Sequence, residues 1–190
     1  MSDAVLSMLK EGQQARYDGR LADAKHLYTE ATELSREEND LSLLAQSMTR
    51  LGTIERDLGN IDSALQHYQE AVVLYRTLAT PLPLAHTVRH VGDILRKAGQ
   101  LDAALPCYRE ALEIYRTDPN TGTLDLANTL RGFALLQAEL GHKEAAIDLW
   151  REAGMLYNQV WQEPGSPFTQ ADLTPGIEES QRQVTLLMGA

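Results

Sequence analysis

The chain has 190 residues, 43% of them hydrophobic, which suffices for a cored domain and excludes disorder throughout. Its 27 acidic against 17 basic residues give a net charge of −10, which disfavours nucleic acid and anionic membranes as partners. The start, MSDAVLSMLKEG, lacks a basic stretch leading into an apolar run, and no run of about eighteen apolar residues follows, so a cytoplasmic protein is expected.

In chain order, the first predicted element is a helix centred on Gly12 and ending before Gly19. The second is GRLADAKHLYTEATELSR from Gly19. The same pair returns as LAQSMTRLGTIERDLG followed by GNIDSALQHYQEAVVLYRTLA, and as LAHTVRHVGDILRKAG followed by GQLDAALPCYREALEIYRT. A fourth pair ends in GHKEAAIDLWREAGMLYNQV from Gly141. Within each copy the apolar residues keep a helical period, as at Ala64, Leu65, Tyr68, Ala71, Val72, Leu74 and Tyr75. The glycines Gly19, Gly59, Gly99 and Gly141 read as turns, and Asp23, Asp62 and Asp102 put negative charge near the helix starts that follow. Each unit is therefore a hairpin of an A helix and a B helix.

Small residues mark where the helices meet. The A helices carry Gly12, Gly52, Gly92 or Ala134 at mid-length. The B helices carry Ala24, Ala64, Ala104 or Ala146 early and Ala31, Ala71, Ala111 or Ala153 later, with Tyr28, Tyr68, Tyr108 or Trp150 between. A mid-helix glycine costs roughly 1 kcal/mol against alanine, so its return predicts close approach of the two helices. Pro106 lies near the start of the third B helix, where a slight bend is expected. In the first copy Glu11 and Gln14 replace the apolar residues of later copies, as a water-facing end repeat requires. Cys107 stands where Leu27 and Leu149 stand and reads as a small, partly buried apolar residue.

After Trp161 comes QEPGSPFTQADLTPG, and then IEESQRQVTLLM, in which Ile177, Val184, Leu187 and Met188 share a face. The expected organisation is four repeats over 1–161, a Pro/Gly-rich connector over 162–176 and a capping helix over 177–190.

This pattern over residues 3 to 161 resembles the tetratricopeptide repeat (TPR) family, in the longer-repeat variety of kinesin light chains. The resemblance implies an all-α, right-handed α-solenoid in which the second face of each A helix lines a concave groove for protein partners. Carried over by alignment, the peptide-binding residues are Arg16, Tyr17, Gln46, Arg50, Arg56, His86, Arg89, Asp93, Arg96, Asn128 and Arg131, with Leu9 also on that face. Of the 24 face positions, eight are basic and three acidic, a surplus of five positive charges on a chain whose net charge is −10. The expected activity is binding of an acidic peptide or partner segment, because each guanidinium offers paired N–H donors to a carboxylate. A second reading has these arginines pairing with Asp57, Asp93, Glu139 and neighbouring acids, or keeping a solvated face soluble. The family's carboxylate-clamp adaptors use a lysine and asparagines where this chain has Leu9, Gln13 and Arg50, so the resemblance does not extend to their chaperone partners.

No phosphate loop, dinucleotide loop, nucleophile elbow or zinc-protease helix occurs, so neither enzyme activity nor a cofactor is expected. DPNTGTLD begins like a calcium loop but has Thr129 where a bidentate Glu is required. Two alternatives to peptide binding remain: a self-associating scaffold, and a metal site at His86, His90 and Asp93, spaced i, i+4 and i+7 on one helix. Outside self-association, a monomer or weak homo-oligomer is expected.

Overall fold

The computed structural model describes residues 2–163 and 169–189. Among them are nine helices and no strand: α1 Ser2–Tyr17, α2 Leu21–Glu37, α3 Leu41–Asp57, α4 Ile61–Thr77, α5 Pro81–Lys97, α6 Leu101–Thr117, α7 Thr123–Glu139, α8 Lys143–Gln162 and α9 Gln170–Gly189. The first eight are the four predicted hairpins, with α1, α3, α5 and α7 as A helices. The fold is all-α and built of helical hairpins, as the resemblance implies. Its contacts fall into two compact units, Met1–Ile94 and Leu95–Ala190.

The hairpin turns share one chemistry. Gly59 takes φ of +85°, a left-handed conformation that costs glycine nothing, and it lets Gly59 N–H bond to Arg56 O at 3.0 Å and Asn60 N–H to Glu55 O at 2.8 Å. Two of the terminal carbonyls of α3 are thereby satisfied. Between hairpins the same double bond forms at Ala79, which is left-handed without being glycine, at φ of +50°. The turn after α6 differs because Pro119 follows Asp118 and disfavours helical geometry there; Asp118 is extended, at ψ of 119°. Its extra residues account for the longer spacing from Gly99 to Gly141. α6 runs unbroken through Pro106.

In the N-terminal unit, Val5, Leu9, Ala15, Ala24, Tyr28, Ala31, Leu43, Leu51 and Ile54 form one core cluster, and Leu44, Ala45, Met48, Ala71 and Tyr75 a second. The predicted glycine contacts are real. A Cβ on Gly12 would lie 2.6 Å from Tyr28 Cε1, and one on Gly52 3.0 Å from Tyr68 Cδ1. In the C-terminal unit, Leu112, Ala127, Leu130, Ala153, Tyr157, Val160 and Leu173 cluster, and Tyr108 stacks on Phe133 with ring centroids 5.9 Å apart. Glu11 and Gln14 face solvent.

The end of the chain corrects the expected boundary at 177. α9 begins at Gln170, started by a reciprocal cap in which Asp172 N–H donates to Thr169 Oγ1 at 3.3 Å and Thr169 N–H to Asp172 Oδ2 at 2.7 Å. Pro175 and Gly176 therefore lie inside a helix. Gly176 is a packing position, since a Cβ there would meet the Tyr157 ring at 3.0 Å. Of the expected covering face, Ile177 packs on the core and Val184 and Leu187 are half-buried, whereas Met188 is 62% exposed; Leu173 and Ser180 fill the seam instead. Residues 164–168 of the expected connector lie outside the described residues.

Candidate functional site

Residues spaced four, three and four along a helix share a face. On α1 this places Leu6, Lys10, Gln13 and Tyr17 together, and on α3 Gln46, Arg50, Thr53 and Asp57. On α5 it groups His86, His90 and Asp93. Arg16, Arg56 and Arg89 flank these rows.

In the N-terminal unit the arginines are paired within the chain. Arg16 Nε meets Asp57 Oδ2 at 2.7 Å, and Arg56 Nη2 meets Asp57 Oδ1 at 2.8 Å. Burial pushes the Asp57 carboxyl up, but the bonds from Arg56 and Arg16 outweigh it and hold its pKa below the ordinary value. Arg89 Nη1 meets Asp93 Oδ2 at 2.9 Å, one turn along α5.

His90 lies among these groups, 8% exposed, its ring stacked on Tyr68 with centroids 5.3 Å apart. Its Nδ1 is 3.2 Å from Arg56 Nη1 and its Nε2 is 3.2 Å from His86 Nε2 and 3.1 Å from Arg89 Nη2. Each ring nitrogen faces a guanidinium donor, Arg56 at Nδ1 and Arg89 at Nε2, so in either neutral tautomer the unprotonated nitrogen accepts from an arginine. Burial first, and then the Arg89 charge, lower its pKa to about 3, with Asp93 acting the other way. His90 is thus neutral at pH 7. This bears on the metal alternative. No group of three or more potential ligands among the described residues is arranged to hold a metal, and guanidinium nitrogens lie at both ring nitrogens of His90, where a cation would be repelled.

In the C-terminal unit Arg96 Nη1 meets Glu139 Oε1, and Arg131 Nε meets Glu179 Oε2 of α9 at 2.6 Å. Tyr157 Oη donates to Asn128 Oδ1 at 2.8 Å. Arg131, Asn128, Tyr157, Asp172 and Glu179 line one cleft between α7, α8 and α9.

Of the arginines grouped by sequence, Arg16, Arg56 and Arg89 belong to the N-terminal unit and Arg96 and Arg131 to the C-terminal unit. Arg16, Arg56, Arg89, Arg96 and Arg131 all carry chain carboxylates, as the second reading of them requires. Arg16 to Asp57 and Arg96 to Glu139 are the same link, from one A helix to the following position of the next. Glu179 escaped the sequence reading because nothing in its neighbourhood tells that α9 reaches Arg131. Leu9 is buried in the core rather than on the face. Tyr17 is 71% exposed, its Oη accepting from Gln13 Nε2 at 3.3 Å, and Gln46 and Arg50 are exposed.

Among solved structures, the crystal structure of BtubC (BKLC) from P. vanneervenii is similar in fold, with a TM-score of 0.72 and 17% identity over 94% of this chain and 73% of that one. No curated protein sequence matches. No helix among the described residues is long and apolar enough to cross a membrane. The family model described as tetratricopeptide repeat matches residues 4–77 and 84–153, the stretches that hold the four hairpins and their glycine–aromatic contacts, and this chain belongs to the tetratricopeptide repeat family.

Proposed function

We propose that this protein is a noncatalytic, cytoplasmic interaction module that binds an acidic peptide or partner segment on the second face of its A helices. Tetratricopeptide repeat domains in general bind protein partners. The observation that carries the acidic preference is the charge distribution: eight of the 17 basic residues, but only three of the 27 acidic ones, fall on the 24 face positions. Internal pairing neutralises part of this surplus and leaves Lys10, Arg50 and Lys97 without an ion pair among the described residues. A guanidinium already holding one carboxylate retains N–H groups for a second.

The test is capture of a partner from source-cell lysate, followed by calorimetry at low and moderate salt. Affinity is expected to fall with salt, because partly exposed charges are screened. Arg56→Gln/Arg96→Gln should weaken binding more than Arg109→Gln/Lys143→Gln, on the order of 1.5 to 3 kcal/mol per sheltered contact and less where the contact is open. Equal losses, or affinity indifferent to salt, would place the binding surface elsewhere.

A further inference from the structure

Two positions at the middle of the A helices in the N-terminal unit differ from the neutralised arginines. Lys10 and Arg50 occupy the same register on α1 and α3, about two turns from the Arg16–Asp57 link, and both are exposed. Neither has an ion pair or hydrogen bond among the described residues.

In the register next to Arg50 lies a tyrosine whose hydroxyl has no hydrogen-bond partner among the described residues. Tyr28 is 1% exposed, its ring held against the backbone of Gly12. In the second repeat the equivalent Tyr68 hydroxyl donates to Thr53 Oγ1 at 3.0 Å. In the first repeat Gln13 stands at the register of Thr53, and its amide is turned to Tyr17 Oη. The Tyr28 hydroxyl is left with no hydrogen-bond partner among the described residues. Arg50 stands at the register of His90, whose ring stacks on Tyr68, and the positive charges of Arg50 and Arg16 both reach the Tyr28 hydroxyl. The guanidinium offers only donors and the unpartnered hydroxyl is free to donate as well, which suits a group that only accepts.

We propose that the Arg50 guanidinium and the Tyr28 hydroxyl form a subsite that receives one carboxylate of the acidic partner segment, with Lys10 beside it attracting a second. The proposal rests on the reading of this face as a surface for acidic partners. It adds to the arginines paired within the chain one that has no ion pair among the described residues.

Hexaglutamate serves as the probe, titrated calorimetrically at low salt into the full chain and its variants. Arg50→Gln is expected to weaken binding about tenfold with an unchanged thermal midpoint, the size of a lost charge-assisted contact. Tyr28→Phe, which keeps the ring against Gly12, should weaken it about threefold. Arg50→Gln/Tyr28→Phe should lose less than the product of the two, since both hold one carboxylate. If Arg50→Gln binds as the native chain does while salt-sensitive binding persists, the subsite is wrong and the acidic-partner reading stands. If the native chain shows no salt-sensitive binding of hexaglutamate, that reading fails and takes the subsite with it.

Discussion

At the scale of single residues, His90 is the most constrained ionisable group of the N-terminal unit. It is enclosed by Arg56, Arg89, His86, Asp93 and Tyr68, and its pKa in the fold is about 3 against an ordinary 6.5. Between those values the unfolded chain binds a proton that the folded chain does not. The stability His90 contributes is therefore complete above about pH 6.5 and is lost as pH falls toward 3, at up to about 1.4 kcal/mol per pH unit. His67, also lowered by burial, acts with the same sign. The Asp57 and Glu55 pairs act below their ordinary values of 3.8 and 4.5, so the interval from pH 6.5 to 5 isolates the histidines. Urea unfolding across that interval should give a flatter dependence in His90→Gln than in the native chain. An identical slope would mean that His90 is not held neutral.

At the scale of elements, α9 decides how the C-terminal unit ends. Leu173 is 3% exposed and Ile177 packs with it on Leu130, Tyr157 and Val160, side chains worth roughly 1.5 to 3 kcal/mol each when fully buried. Glu179 adds the pairing with Arg131. Ending the chain at Glu163 should uncover this cluster, lower the thermal midpoint and produce concentration-dependent association in sedimentation. A truncated chain that stays monomeric at the native midpoint would show that α9 covers nothing essential. The start of α9 was poorly legible because Thr-Pro-Gly is the signature of a turn. Its helical state depends on Thr169 and Asp172 capping each other and on Tyr157 filling the space a side chain at Gly176 would need, and only the second partner lies outside the segment.

For the whole molecule, packing runs between neighbouring helices: α1 with α2, α2 with α3 and α3 with α4 in one unit, and α6 with α7, α7 with α8 and α8 with α9 in the other. Repeat proteins with such nearest-neighbour contacts lose structure locally. Gly12→Ala gains about 1 kcal/mol of helix propensity, but its Cβ would sit 2.6 Å from the Tyr28 ring, an overlap that costs about 1 to 3 kcal/mol. A net loss of up to about 2 kcal/mol is expected. Amide hydrogen exchange should quicken in α1 to α3 and keep its native rates in α7 to α9. Equal acceleration throughout would mean that the two units open as one.

The hairpins, their glycine turns and the close helix approach at Gly12 and Gly52 were determined by the sequence alone, because each depends on a helical period or a φ preference within some 40 residues and is written several times over; that Tyr28 and Tyr68 are what those glycines meet came from the structure. Even the spacing of 42 follows locally, from Pro119 holding Asp118 extended. Which carboxylate each arginine meets was decided only by the tertiary structure. A surplus of positive charge can be counted along a chain, but neutralisation depends on the reach of a side chain across two stacked helices. Asp57 and Glu139 come within reach of Arg16 and Arg96 once neighbouring A helices align, and Glu179 meets Arg131 because α9 packs on α8. Among the described residues the same alignment leaves Arg50 with no carboxylate and the Tyr28 hydroxyl with no acceptor, since Gln13 turns its amide to Tyr17, whereas in the second repeat Thr53 accepts from the Tyr68 hydroxyl.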